Sequence, residues 1–529
     1  MLSYELLFWM SIVLLVVALL SLHCNLRRDL MMLQQNSYMN NRYVRWFNQS
    51  GESTNYIRIG ACIALFLCLV THIPFWASGG CAILIMAWIT VALAKRKYKK
   101  PLVVTKRVKR LYAVAAALDV AIIAVAWALS GALFYAAVAA VALNVVSPLI
   151  IMTANILLRP VEKRINRKFY DEAQAILRSM PDLKIIGVTG SYGKTSTKHY
   201  LNRILSEKYD VTMTPGNFNT TLGVIRTIRE NLKPYNEVFI VEMGAKQLGD
   251  IKEICDLVHP SMGIVTAVGE QHLESFKTIE NVQRTKFELV DALPADGLAI
   301  VNNDFDMVAS RNVDNVKCMR YAVSKPENAD YTATITEVAH DGTTFTVNGG
   351  GREYKFHTRL VGECNISNLT AAVIAALELG VEESKIAYAI EKIEQVEHRL
   401  NMKRTAGGVT IIDDAYNSNP TGSKMALDVL SAMTGGKRIV VTPGMVELGD
   451  KQFELNKELG RHAATRADII IVVGQYNKEA LAEGLTEGGV QENNVYYAST
   501  FAEAQQILAQ ILKRGDTVLY ENDLPDTFK

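Results

Sequence analysis

The residues best suited to chemistry form one run, Ile185-Ile186-Gly187-Val188-Thr189-Gly190-Ser191-Tyr192-Gly193-Lys194-Thr195-Ser196-Thr197. A short apolar stretch enters a glycine-rich turn. The turn enters a segment whose Tyr200, Leu201 and Ile204 read as one face of a helix. Phosphate binding needs this order of parts. Glycines let backbone N–H groups close around phosphates, and a helix N-terminus supplies positive potential. In such a loop Lys194 reaches the β/γ-phosphates of a nucleotide and the Thr195 hydroxyl ligates Mg²⁺. The spacing departs from the strict pattern, since Val188 stands five before Gly193 while glycines fall at 187 and 190. The strand before and the helix after favour a nucleotide site over an ordinary strand–helix turn.

Other reactive side chains close apolar runs further on. Val238-Phe239-Ile240-Val241 reads as a buried strand with Glu242 at its carboxyl end, and Gly263–Val268 as another, followed by His272 and Glu274. Ligands of parallel sheets sit beyond the carboxyl ends of the strands, so Glu242 and His272 are expected to face the nucleotide. A carboxylate oxygen suits Mg²⁺, whereas His272 on its own reads as a surface histidine. Asp413-Asp414 closes Val409-Thr410-Ile411-Ile412. Those acids are either a helix cap with a solvated neighbour or a pair that orients a substrate amine, and spacing does not choose.

These residues need a scaffold. From 184 onward apolar runs alternate with helical patterns, which predicts an α/β fold with a parallel sheet. Residues from about 330 to 360, with Asp341-Gly342 and Gly349-Gly350-Gly351, read as short hairpins inserted in this domain. A second, Rossmann-like α/β unit follows near 400. Its strands are 409–412, 438–441, 469–473 and 517–520, with helices over 421–433, 453–466 and 501–513. A chain of 529 residues exceeds a single core and predicts roughly two to four domains. The net charge of +2 carries no nucleic-acid signal, and the seven cysteines contain no C-x-x-C pair, so neither a zinc site nor a disulfide framework is expected.

The first 158 residues read as a membrane region with about five helices, over Leu6–Leu20, 59–75, 81–94, 111–130 and 133–158. The second and third are short, with a tight hairpin expected through Pro74 and Gly79-Gly80. The first lacks the basic start of a signal peptide, having Glu5 there. The run Lys95-Arg96-Lys97-Tyr98-Lys99-Lys100, with Lys106, Arg107, Lys109 and Arg110, puts that loop in the cytoplasm and the N-terminus outside. The loop reads as a topology determinant first and an anionic-lipid site second. Asp119 lies in the fourth span, near a helix end. Residues 159–183 read as a helical linker ending at Met180-Pro181, leaving 184–396 as a P-loop ATPase domain and 397–529 as the C-terminal domain.

The ordered motifs resemble the Mur ligase family, ATP-dependent amide-forming enzymes of peptidoglycan assembly. They are closest to the branch that adds D-alanyl-D-alanine to UDP-N-acetylmuramoyl-tripeptide. The resemblance covers roughly residues 180–515. Besides the phosphate loop it rests on Thr214-Pro215-Gly216-Asn217-Phe218-Asn219, Glu242-Met243-Gly244-Ala245, His272-Leu273-Glu274 and Lys286-Phe287-Glu288. It rests also on Asn302-Asn303-Asp304, Asn365-Ile366-Ser367-Asn368, His398-Arg399-Leu400 and Asp413-Asp414-Ala415-Tyr416-Asn417-Ser418-Asn419-Pro420. The resemblance implies attack of a substrate carboxylate on ATP, capture of the acyl phosphate by an amine, and release of ADP and phosphate. It implies that Gly190, Ser191, Gly193, Lys194, Thr195 and Ser196 hold phosphates, and that Asn302, Asn365 and Asn368 contact the nucleotide. Thr195 and Glu242 would bind Mg²⁺, His272 a second Mg²⁺, and Lys286 would carry a metal-bridging carbamate. Arg399 would neutralise phosphate charge as domains close, and Asp414 would assist the incoming amine.

Three departures stand out. The family's G-x-H-N reads Gly362-Glu363-Cys364-Asn365, and its Lys-Gly-Ser signature is replaced near Glu521-Asn522-Asp523-Leu524-Pro525. Membrane spans stand where the soluble UDP-sugar-binding domain is expected. The expectation is a multi-pass protein of a bacterial plasma membrane with cytoplasmic catalytic domains, using ATP and Mg²⁺. Its partners would be a muropeptide or lipid-linked cell-wall precursor, D-Ala-D-Ala or another amine, and membrane lipids, with no nucleic acid. A folylpolyglutamate-synthase-like ligase shares the ATP core but gives no reason for the spans. A transporter or scaffold explains the spans but not the ordered motifs.

Overall fold

The computed structural model describes residues 2–50, 56–71, 75–96, 98, 100–339, 342–415 and 418–524. Pro74, Lys97, Lys99, Asp341, Tyr416, Asn417 and Pro525, which figure in the sequence expectations, lie outside these. The chain divides into two compact units, residues 1–166 with 524–529, and residues 167–523.

The first unit is helical, with α1 (Leu2–Gln35), α2 (Asn40–Gln49), α3 (Tyr56–Thr71), α4 (Phe75–Lys95), α5 (Lys106–Ser130) and the start of α6 (Leu133–Arg178). Among the described residues four helices are long and apolar enough to cross a membrane, over Tyr4–Gln35, Trp76–Lys95, Lys106–Ser130 and Leu133–Arg178. The 16-residue α3 falls short of the ~20 residues a span needs. The expected turn at Gly79-Gly80 is absent, because both glycines lie inside α4. Glycine costs only about 1 kcal/mol inside a helix, and the packing of Ala82, Met86 and Ile89 of α4 against Leu14, Ala18, Ala61 and Leu65 outweighs it. Asp119 is buried in the middle of α5 rather than near its end. Large apolar side chains such as Trp9, Leu84, Trp88 and Leu129 face outward. Several polar ones face inward, with Asn25 Nδ2 donating to Asn144 Oδ1 at 2.9 Å and Ser147 Oγ to Asp29 Oδ2 at 2.5 Å. The expected linker is continuous with the last long apolar helix, since α6 runs unbroken to Arg178.

The second unit holds two sheets. The first contains β1 (Lys184–Thr189), β2 (Val211–Met213), β3 (Val238–Glu242), β4 (Met262–Val265), β5 (Leu298–Asn302), β6 (Lys317–Ala322), β7 (Tyr331–Ala339), β8 (Gly342–Gly349) and β9 (Arg352–Thr358). Their order is β2-β3-β1-β4-β5-β6-β7-β8-β9. Pairing is parallel as far as β7 and antiparallel beyond it, so the predicted hairpins extend the sheet edge. The second sheet contains β10 (Asn401–Arg404), β11 (Thr410–Asp414), β12 (Arg438–Thr442), β13 (Ile469–Val473), β14 (Val495–Ala498) and β15 (Thr517–Glu521), in the order β10-β11-β15-β12-β13-β14. Only β10 is antiparallel.

The first sheet is apolar on both faces. On one, Tyr200, Leu201 and Ile204 of α7 (Lys194–Leu205) pack with Ile366 and Leu369. On the other lie Phe287, Leu289 and Val290 of the helix Ile279–Asp291. Gly187 and Gly263 are paired across β1 and β4 beneath Leu289. A Cβ would lie 2.6 Å from Leu289 Cδ1 at Gly187 and 3.0 Å from Leu289 Cγ at Gly263. This glycine floor seats the helix that carries Lys286.

Candidate active site

The turn from β1 to α7 is packed tightly against its neighbours at two glycines. Gly190 and Gly193 have φ of +152° and +82°. A Cβ at Gly190 would lie 2.1 Å from Thr266 Oγ1, and at Gly193 2.4 Å from Asn368 Oδ1. Only glycine fits both conformation and space. Ser191 ties the turn down, its N–H donating to Ala267 O at 2.8 Å and its Oγ exchanging 3.0 Å bonds with Gly269. Lys194 folds over the turn, donating to Gly190 O at 2.6 Å and Ser191 O at 3.3 Å. Burial pushes its ammonium down to about 8, with Glu242 opposing and Arg399 adding to the shift. Ser196 is buried within α7 beside Tyr200.

Glu242 ends β3 and is 1% exposed. Its Oε1 accepts from Thr195 Oγ1 at 3.2 Å and Asn219 Nδ2 at 3.1 Å. Its Oε2 pairs with Lys198 Nζ at 3.0 Å, and Lys198 also donates to Gly216 O at 2.6 Å. Burial raises this carboxyl, but the Lys198 and Lys194 ammonium groups outweigh it and hold it below the usual range. Lys198 went unnoticed in the sequence, although it follows Lys194 by one helical turn and so shares its face.

His272, at φ +54°, opens the short helix Leu273–Phe276. Its Nδ1 is hydrogen-bonded to Glu447 Oε2 of the C-terminal sheet domain. Burial holds the imidazole below its ordinary value against the pull of Glu447, aided by Lys246 and Lys286. Lys286 is 2% exposed, and among the described residues no carboxylate lies within 4.0 Å of its ammonium. Burial first, then Lys194, lowers it far below the usual lysine value.

Asp413 and Asp414 have separate tasks. Asp413 Oδ2 bonds His398 Nδ1 at 2.7 Å and its Oδ1 accepts from Ala415 N at 3.2 Å. The following helix, Pro420–Ser431, is capped by Asn419 instead. Asp414 accepts from Leu400 N at 3.1 Å. Burial and then Glu521 push its carboxyl up to about 7, with Arg399 opposing. Glu521 pairs in register with Asp414 across β11 and β15. It accepts from Ser423 Oγ at 2.6 Å, Thr442 Oγ1 at 2.7 Å and Ser418 Oγ. Arg399 is flanked by His398 and Leu400, both at positive φ. It lines a cleft of about 50 Å³ with Lys194, Thr195, Gln271 and Asn419. A larger cleft of about 730 Å³ runs from Thr195, Gly216 and Asn217 to the 392–399 segment, a size that suits a nucleotide.

The three asparagines differ. Asn368 Oδ1 accepts from Thr197 at 3.2 Å beside Gly193. Asn365 is engaged by Tyr200 OH at 2.8 Å and Val361 O at 2.8 Å. Asn302 bonds Thr266 O at 3.0 Å, Ser367 Oγ at 2.9 Å and Asp304 N at 3.1 Å, so both ends of its amide are already engaged. Cys364 is not a thiolate, because burial raises it to about 12.

Among the described residues no cluster of three or more His, Cys, Asp or Glu could hold a metal. The Glu242–Thr195 oxygen pair beside the glycine turn nonetheless fits Mg²⁺, which keeps waters and takes phosphate oxygens as ligands.

Two family descriptions match the chain, the Mur ligase middle domain over residues 188–376 and the Mur ligase glutamate ligase domain over 398–520. The UDP-N-acetylmuramoyl-tripeptide–D-alanyl-D-alanine ligase of Bacillus subtilis is 29% identical over 353 residues, 66% of this chain and 75% of its own length. The Escherichia coli enzyme of that name is 29% identical, over 66% of this chain and 77% of its own. A crystal structure of MurF from Acinetobacter baumannii superposes with a TM-score of 0.61 at 29% identity, over 67% of this chain and 76% of that one.

Proposed function

Because the chain belongs to the Mur ligase family and is an ATP-dependent ligase, we propose that it joins D-alanyl-D-alanine to the tripeptide of a peptidoglycan precursor at the membrane surface. The observation that carries this reading is the meeting of two domains on one phosphate loop. Lys194 and Thr195 share a cleft with Arg399, and Arg399 acts electrostatically on Asp414. The matched relatives are named for this substrate pair.

In this reading the tripeptide carboxylate attacks the γ-phosphorus of ATP. An O–P bond forms, the bridging P–O bond to ADP breaks, and Lys194 with Arg399 offsets the charge on the transferring group. The dipeptide amine then attacks the acyl carbon, a C–N bond forms, and phosphate leaves with the C–O electron pair. Asp414 takes the ammonium proton. Bound Mg²⁺, held through Glu242 and Thr195, would supply further charge neutralisation at the phosphates. His272 is the candidate for a second ion. The buried Lys286 amine, held far below the usual lysine value by desolvation, suits carbamate formation, which would turn it into an oxygen ligand. The four long apolar helices anchor the chain in the bacterial plasma membrane with the ligase domains in the cytoplasm.

A base at position 414 must be ionised to accept a proton, so its pKa near 7 sets an acid limb. The turnover rate should fall about tenfold per unit as pH drops below 7. Asp414→Asn should lose about 10²–10⁴ in kcat and flatten that limb. A retained limb would assign it to another group.

The reading is tested by phosphate release from ATP in detergent-solubilised protein, with D-alanyl-D-alanine present throughout. One arm receives the soluble UDP-linked tripeptide, the other the lipid-linked form. Turnover with the soluble form makes the helices an anchor. Turnover with the lipid form alone makes them part of substrate capture. No turnover in either, with ATP still bound, sinks the D-alanyl-D-alanine assignment.

A further inference from the structure

We propose that Glu447 is a positioning residue: contributed by the C-terminal sheet domain, it aims the His272 imidazole of the central domain, so that docking of the two domains completes the metal-binding edge of the site. This rests on the ligase reading for His272 and goes beyond it in naming what orients the ring.

Several independent contacts converge on two short turns. Glu447 Oε2 meets His272 Nδ1, and the Glu447 carbonyl accepts from the Glu274 N–H at 3.2 Å. Lys451 pairs with Glu270 on the same pair of segments. Gly449, at φ +61°, lies so close that a Cβ there would stand 3.2 Å from the Glu274 nitrogen. Both residues at the centre of the contact, His272 and Glu447, hold left-handed conformations at φ +54° and +63°. Non-glycine residues adopt these at a cost, and such strain gathers where a side chain must be aimed.

The chemistry follows from which nitrogen is engaged. A carboxylate only accepts, so the proton of a neutral imidazole sits on Nδ1, and Nε2 presents its lone pair. Carboxylate partners of this kind fix the tautomer and orientation of ligating histidines, and their loss typically weakens metal binding about 10–100-fold. Because Glu447 and His272 come from different domains, the ring is held this way only when the domains are docked. An isolated central domain would contain the histidine without its orienting group.

The test uses the full-length detergent-solubilised protein with a non-hydrolysable ATP analogue, and reads Mn²⁺ binding by electron paramagnetic resonance. Glu447→Ala should weaken one Mn²⁺ ion about 10–100-fold. Glu447→Gln, whose amide oxygen still accepts from Nδ1–H, should fall between it and the wild type. Lys451→Ala removes a contact between the two turns without touching the ring, and should bind Mn²⁺ within about twofold of wild type, since exposed pairs contribute little. A Glu447→Ala titration matching wild type overturns the proposal. So does Lys451→Ala weakening the ion equally, which would make the contact a clasp only. If Glu447→Ala does not fold, Glu447→Gln decides by the same criterion. Failure of the ligase reading appears separately, as absence of phosphate release by the wild type, and leaves the Mn²⁺ comparison readable.

Discussion

Replacing Lys194 with alanine is expected to lower ATP turnover by about 10³-fold, the scale of losing a donor aimed at developing charge. Lys194 leads α7 at the start of the helix dipole and folds onto Gly190 O and Ser191 O within the glycine turn. Its ammonium is partly desolvated and pushed down to about 8, so removing it relieves a buried charge as well as breaking two hydrogen bonds. The thermal midpoint should therefore move little while phosphate release collapses. A scaffold or transporter whose membrane role ignored ATP hydrolysis would keep its cellular function in this variant, and that outcome would count against the enzyme reading. Lys194→Arg should not rescue, because a forked guanidinium cannot replace a compact point charge inside so tight a turn.

The second large effect is expected at Lys198, and it concerns stability. This side chain is wholly buried, and its two partners are Glu242 Oε2 at 3.0 Å and Gly216 O at 2.6 Å. Removing one partner of a buried pair leaves a desolvated charge and costs about 3–5 kcal/mol. Lys198→Met should accordingly lower the melting midpoint by on the order of 10 °C. It should also loosen the Gly216 segment that borders the large cleft. The double variant Lys198→Met/Glu242→Gln should recover part of the stability but not the activity, because the Glu242 carboxylate is then gone from Thr195. Additive losses in the double variant would show that the two groups do not form one unit. Thermal melts of the four proteins, each in the same detergent, make the comparison.

Local patterns revealed much of this arrangement. The run from Ile185 to Thr197 announced a strand, a glycine turn and a helix because each part has its own local physics, namely apolar burial, glycine at positive φ and helical periodicity. Glu242, closing an apolar strand, was legible for the same reason, since parallel strands present their carboxyl ends to a shared edge. Four of the five expected apolar stretches form helices long and apolar enough to cross a membrane, since that is a matter of length and composition, while α3 stops at 16 residues. The turn expected at Gly79-Gly80 went astray because a local glycine preference is weaker than the packing of α4 against α1 and α3.

What spacing left undecided was decided by partners distant in sequence. Asp413 and Asp414 were equivalent on paper, yet one meets His398 and the other lies beside Glu521, which is 107 positions from it and in register only through β-sheet pairing. Lys198 became a buried partner of Glu242 because α7 lies over β3, a contact no local pattern carries. Lys286 reads as a surface lysine in isolation. It is buried because Gly187 and Gly263, from two other strands, let its helix settle onto the sheet. The pairing of His272 with Glu447 spans 175 positions and two domains. The sequence by itself therefore determined the strand–glycine turn–helix unit, the α/β alternation and the long apolar helices, all of which follow from short-range patterns. The tertiary structure alone decided which charges are desolvated and what each one faces, because burial and Coulomb interaction depend on distance in space and not on separation along the chain.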